Sequence, residues 1–217
     1  MSPQDIIEQT ISFVKSELAN AEAGHDWWHI QRVYNVAKKI AADESVDIFI
    51  VELGALLHDI ADAKFYNGDE NIGPNKAVKF LQSLSVEENI IDHVEKIIRN
   101  ISFKGGNFKQ EFFSPELAVV QDADRLDALG AIGIARAFNY GGFKNRQFYD
   151  PSIKPALSMT KDEYKKSTAP TINHFYEKLL LLKDLMNTAT GKKLAEERHL
   201  FMENYLTQFY DEWEGRK

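Results

Sequence analysis

The residues of this chain most suited to chemistry are two histidines and two aspartates that could hold one divalent metal ion. His58 and Asp59 are adjacent and end the apolar run 51–57, while His29 precedes them and Asp124 follows them. A carboxylate at the end of a buried helix needs a partner, which could be an arginine, a helix N-terminus or a metal ion. The pattern favours the metal ion, which would lower the pKa of a bound water and polarise a phosphoryl oxygen.

Further charged residues near these four could move a proton or bind phosphate. Asp62 lies four residues after His58 and three after Asp59, so a helix that continued through them would place all three on one face. We expect Asp62 to transfer a proton, although a metal ligand or a polar helix end would have the same spacing. There is no P-loop motif, so side chains must contact phosphate. The candidates are His25, Arg32, Lys64 and Arg125.

The aspartate-rich segment 121–127 leaves a choice of metal ligand. On a helix Asp124 and Asp127 would share a face, whereas Asp122 would point away from Asp124. Clustered carboxylates repel one another unless a cation neutralises them, and Arg125 could be that cation in place of a metal ion.

Composition excludes several classes of protein. The chain has 217 residues, 44% of them hydrophobic, and its 26 basic and 33 acidic residues give a net charge of −7. That balance argues against a nonspecific nucleic-acid surface. Because there is no cysteine, a metal site must use His, Asp or Glu. The N-terminus does not resemble a signal peptide, and no apolar run approaches the roughly 20 residues of a membrane span, so we expect a cytoplasmic protein.

Hydrophobic periodicity predicts an all-α fold. Ile7, Ile11, Val14 and Leu18 form the stripe of an amphipathic helix that begins at the Ser2-Pro3 pair. A third helix is predicted to run from about 48 into the His58-Asp59 doublet. The segments 85–88 and 160–163 read as capping boxes at helix starts. Residues 139–159 lack periodicity and predict a long loop, and two long helices, about 170–186 and 190–213, should form an antiparallel pair.

The ordered set of His29, His58-Asp59 and Asp124 resembles the metal site of HD-domain metal-dependent phosphohydrolases. That resemblance covers about residues 20–140. The segments 24–30, 124–133 and 173–180 resemble a bacterial subgroup of about this length, the YpgQ-like nucleotide pyrophosphohydrolases. The resemblance implies a single HD domain over 1–217. Its metal-binding core spans about 20–140, and a loop and C-terminal helical hairpin span about 140–217.

The resemblance also implies an activity. We expect hydrolysis of a nucleoside or deoxynucleoside triphosphate to the monophosphate and pyrophosphate, with one divalent ion (manganese, cobalt, magnesium or nickel) as cofactor. The alternatives are a 5′-nucleotidase, a guanosine polyphosphate hydrolase and a non-catalytic nucleotide sensor. The expected partner is a phosphorylated small molecule, with no nucleic-acid polymer and no membrane, and a homodimer is left open.

Overall fold

The fold is described from a computed structural model that covers residues 1–19, 26–61, 69–101, 112–160, 163 and 167–217. In those ranges every regular element is a helix and none is a strand, which confirms the all-α prediction. The α-helices are α1 (Pro3–Glu17), α2 (Trp27–Ala41), α3 (Ile48–Leu57), α4 (Ile72–Ser83), α5 (Glu88–Asn100), α6 (Pro115–Leu126), α7 (Gly130–Phe143), α8 (Thr171–Glu177) and α9 (Ala189–Trp213).

The chain divides into two compact units, residues 1–124 and 125–217. This division leaves the prediction of a single domain over 1–217 untested. None of the described helices is long and apolar enough to cross a bilayer.

Side-chain caps explain where several helices begin. Ser2 accepts a hydrogen bond from the backbone N–H of Asp5, and Asp5 returns one, so the predicted start of α1 is a complete capping box. The box at 160–163 is also present, since Thr160 and Glu163 bond to each other's backbone N–H groups. The prediction of a capping box at residues 85–88 is wrong. Ser85 instead has φ 55° just after α4, and Glu87 is the residue that precedes α5.

Helix α3 is the centre of the first unit and contacts α1, α2 and α5. Seven of its ten residues are buried, which fits the continuous apolar sequence of this segment. Gly54 lets α3 lie close to its neighbours. A Cβ there would sit 3.2 Å from Ile97 of α5 and 3.4 Å from Val120 of α6. Close packing therefore fixes the position of the end of α3, where the His58-Asp59 doublet lies.

The second unit contains α7, α8 and α9, and its C-terminal helix pair differs in detail from the prediction. The first member is not one long α-helix over 170–186. It is α-helical only over Thr171–Glu177 and continues as a 3₁₀ helix, Leu179–Leu185. The buried leucines of this stretch, Leu179 and Leu182, are three residues apart, which matches the three-residue turn of a 3₁₀ helix. The predicted loop also starts later, because α7 continues to residue 143.

Candidate metal centre

Two helix boundaries place the histidines of the first unit. Asp26 caps α2, and its carboxylate accepts the backbone N–H of His29 at 3.0 Å, so His29 lies in the first turn of that helix. Helix α3 ends at Leu57, and His58 is its C-cap residue. The prediction that α3 runs from about 48 into the doublet is therefore confirmed to within a residue. The helix does not continue beyond the doublet, because residues 58–61 form a turn and a bend.

The ring of His58 is oriented by its own helix. Its Nδ1 lies 2.9 Å from the backbone oxygen of Ala55. A carbonyl oxygen only accepts hydrogen bonds, so Nδ1 carries the hydrogen and Nε2 presents its lone pair. A backbone carbonyl on one ring nitrogen is the usual device that fixes a metal-binding histidine in its ligating tautomer.

The lone pair of His58 points at the other candidate ligands. Its Nε2 lies 3.3 Å from Nε2 of His29, and the two rings meet edge to face at 69°. Ligand atoms of His29, His58 and Asp59 all lie within 4.8 Å of one another. Asp124 adds a carboxylate, whose Oδ1 is 3.5 Å from Nε2 of His29 and 3.8 Å from Nε2 of His58. The structure thus brings together all four residues that the sequence predicted as ligands.

Electrostatics keep His58 able to act as a ligand. Burial lowers the pKa of His58 below its usual value of 6.5, and the nearby charge of His29 adds to that effect, while Asp124 and Asp59 oppose it. Since the net effect on the pKa is downward, the ring is neutral near pH 7, which is the form that binds metal.

The donor set fits a divalent cation. Two imidazole nitrogens and two carboxylate oxygens suit manganese, cobalt or magnesium, and without a cation these acceptor groups would face one another in a mostly buried place. Adjacent nitrogens bound at about 2.0–2.1 Å to one ion are about 3 Å apart, close to the observed separation between the two histidines. The assignment of the four residues as ligands stays a prediction that this geometry supports.

The remaining aspartates of segment 121–127 have different surroundings. Asp122 is fully buried in α6. Helix α6 ends at Leu126, so Asp127 lies beyond it and accepts a hydrogen bond from Arg136 within the second unit. The helical face expected for Asp124 and Asp127 is therefore absent, and Asp124 lies within 4 Å of Nε2 of both histidines.

Two of the four predicted substrate-binding residues, Arg32 and Arg125, lie in the described ranges. Arg32 lies on α2 three residues after His29 and is half-buried. Arg125 donates a hydrogen bond to the backbone oxygen of Leu185 in the second unit. The other candidates, His25, Lys64 and Asp62, lie outside the described residues. Their roles, and that of Arg32 and Arg125, stay predictions.

Sequence reasoning missed the residues that orient the histidines. Asp26 is one of them. Its signal is an aspartate directly before the start of a periodic helix. The other is the carbonyl of Ala55, which has no sequence signal because every residue carries one.

Comparison with known proteins identifies the family of this site. The model of the HD domain family matches residues 27–129, a span that contains His29, His58, Asp59 and Asp124. The Bacillus subtilis protein YpgQ is 40% identical over 202 residues, which make up 93% of this chain and 90% of YpgQ. The chain belongs to the HD-domain family.

Solved structures of HD-domain proteins agree with this assignment. An HD-superfamily hydrolase from Bacillus thuringiensis superposes with a TM-score of 0.79 at 47% identity, and the match covers 98% of this chain and 99% of that one. Bacillus subtilis YpgQ, solved in complex with ADP, superposes with a TM-score of 0.75 at 37% identity over 98% of this chain and 97% of YpgQ. The protein is an HD-superfamily hydrolase, and its His-His-Asp group is consistent with a metal-dependent phosphohydrolase.

Proposed function

We propose that this protein hydrolyses nucleoside or deoxynucleoside triphosphates to the monophosphate and pyrophosphate. The observation that carries the proposal is that ligand atoms of His29, His58 and Asp59 lie within 4.8 Å of one another and that Asp124 lies within 4 Å of both histidines, with the His58 lone pair fixed by the Ala55 carbonyl. The complex of YpgQ with ADP supports a nucleotide as the ligand of this family member as well.

The four side chains would hold one divalent ion, with manganese or cobalt as the preferred candidates. Such an ion, when bound, activates water as a nucleophile at neutral pH and polarises a phosphoryl oxygen. The protein's own contribution is to fix the donors in place. The cap by Asp26 and the packing at Gly54 position the ends of two helices, so that little rearrangement is needed on binding.

Proton transfer and phosphate binding would fall to further charged residues of the chain. We assign Asp62 to proton transfer, and His25, Arg32, Lys64 and Arg125 to contacts with the phosphates. General acid–base groups contribute about 10²- to 10⁴-fold to rate. The charge of −7 over the whole chain makes such local cations necessary for the binding of a polyanionic substrate.

The experiment is a screen of nucleoside tri-, di- and monophosphates and guanosine polyphosphates in isotopically labelled water, with manganese or with a chelator. The products are identified by phosphorus NMR and mass spectrometry. We expect pyrophosphate from triphosphates, with the labelled oxygen in the monophosphate, and no turnover with the chelator.

A matched pair of variants ties the activity to the centre. Asp59→Ala should abolish it, whereas the same substitution at exposed Asp92 on α5 should not. Orthophosphate released from monophosphates alone would contradict the proposal and indicate a phosphomonoesterase. Pyrophosphate released from guanosine polyphosphates alone would indicate a guanosine polyphosphate hydrolase. Nucleotide binding without turnover would indicate a sensor.

A further inference from the structure

The second unit contains a cavity of ≈250 Å³ that none of the proposed metal ligands lines. Its walls come from the irregular segment after α7 and from helices α8 and α9. Aromatic rings, a proline-rich edge and one ammonium group dominate the lining, which includes Tyr149, Ile153, Lys154, Asn173, Tyr176 and Tyr210.

The aromatic wall is held rigid by contacts among its own rings. The Tyr149 ring meets Tyr210 edge to face at 5.3 Å between centroids, and it meets Trp213 in the same way at 5.2 Å. The hydroxyl oxygens of Tyr176 and Tyr210 are 3.1 Å apart and share a hydrogen bond. Rings fixed in this way offer flat apolar surface at little cost in side-chain entropy.

The segment 151–155 of the lining is tied to α8 through its backbone. The Asn173 amide donates to the backbone oxygen of Ile153 at 3.1 Å. The carboxylate of Asp150 accepts the backbone N–H and the hydroxyl of Ser152, which closes the turn just before it. Ile153 lines the cavity and is nevertheless 43% exposed, so it is not packed in the core.

Lys154 gives the cavity its charge. Its side chain is exposed, and among the described residues no carboxylate lies within ion-pair distance of it. A rigid aromatic wall beside one available ammonium group suits a planar ring that carries an anionic group. The volume is just below the roughly 300–1,000 Å³ of small-molecule sites, which fits one ring system and not a polymer.

We propose that this cavity binds a planar aromatic ring bearing a phosphate or carboxylate, with the ring against Tyr149, Tyr176 and Tyr210 and the anion at Lys154. Two sources share this chemistry, a nucleoside monophosphate and a simple aromatic acid. The inference does not depend on the proposed hydrolysis, because the cavity is built only from residues of the second unit.

The test is calorimetric titration of the full chain, with manganese and again with chelator, using adenosine monophosphate, adenosine, ribose 5-phosphate and indole-3-acetate. We expect adenosine monophosphate or indole-3-acetate to bind both with manganese and with chelator. If the natural ligand is a nucleotide, adenosine monophosphate should bind more tightly than adenosine or ribose 5-phosphate. Ile153→Glu places a carboxylate in the lining beside the proposed anion and should weaken that binding about two- to five-fold. Lys154→Gln should weaken it about two- to five-fold and leave adenosine unaffected.

Matched controls separate the cavity from general effects. Leu157→Glu changes an exposed residue of the same segment, and Lys193→Gln removes an exposed charge on α9; neither lines the cavity, and both should bind as wild type. Equal binding by wild type and Ile153→Glu would overturn the proposal. So would the failure of both aromatic anions to bind at millimolar concentration. A failed hydrolysis screen, by contrast, would leave this binding result unchanged.

Discussion

His174 should make the protein lose stability in mild acid. Burial lowers the pKa of His174 from 6.5 to about 4, and the charges of Lys178 and Arg146 act in the same direction. Between these two pH values the unfolded chain binds a proton at this histidine and the folded chain does not, so the free energy of unfolding falls as pH falls. The substitution that tests this is His174→Gln, because a glutamine side chain carries no charge in either the folded or the unfolded chain.

The size of the effect follows from the two pKa values. At pH 7.5 both states are nearly unprotonated at His174, and the contribution is close to zero. At pH 5 the difference in proton binding costs the folded state about 2 kcal/mol, and at pH 4 about 3 kcal/mol. For a chain of this size, 2 kcal/mol corresponds to a shift of about 4–8 °C in the midpoint of thermal unfolding.

The assay is urea unfolding of wild type and His174→Gln at pH 7.5, 6 and 5, followed by circular dichroism. The stability difference between the two proteins should change by about 2 kcal/mol across this range, in favour of the variant at low pH. NMR titration of the His174 ring gives an independent check, because its midpoint should lie near 4. Parallel pH profiles for the two proteins, or a ring that titrates near 6.5, would refute the reasoning.

Three other predictions concern single positions. Asp26→Ala should lower the free energy of unfolding by about 1 kcal/mol, because α2 loses the acceptor for the His29 N–H. Asp26→Asn should keep most of the wild-type stability, and the urea midpoints of the two variants test the difference. Gly133→Ala should destabilise the protein by about 3 kcal/mol, because the added Cβ would clash with the backbone oxygen of Ala128. An unchanged thermal midpoint would contradict that contact. Asp62→Asn should keep the metal and substrate affinity and lose about 10²- to 10⁴-fold in rate. Unchanged turnover would leave Asp62 as the polar helix end that the sequence also allows, and loss of the metal would make it a ligand.

Local signals in the sequence explain what could be predicted of the fold. The start of α1 follows from the Ser2-Pro3 pair, and the Thr160 box follows from side chains only three residues apart. Ser85 shows the limit of such signals. Its residue type suits a helix start, but the chain needs a positive φ there to leave α4, and the local pattern does not record that need.

The site was predictable as a set of residues but not as a geometry. The order of the histidines and aspartates was enough to select His29, His58 and Asp124, which the folded chain brings within 4 Å of one another. The end of α3 was predictable to within a residue, because the polar doublet closes the apolar run. The turn over residues 58–61 was not, because tertiary packing and not helix propensity decides how the chain continues after a buried helix. The helix assumed between the doublet and Asp62 is accordingly not continued in residues 58–61.

The measurement that tests the central claim most directly is the metal content of the full chain after it is loaded with manganese and exhaustively dialysed. Wild type and Asp92→Ala should retain about one ion per chain, and Asp59→Ala and Asp59→Asn should lose it. Circular dichroism and thermal unfolding establish that each variant is folded. Full metal occupancy in folded Asp59→Ala and Asp59→Asn would contradict the assignment of His29, His58, Asp59 and Asp124 as one metal centre.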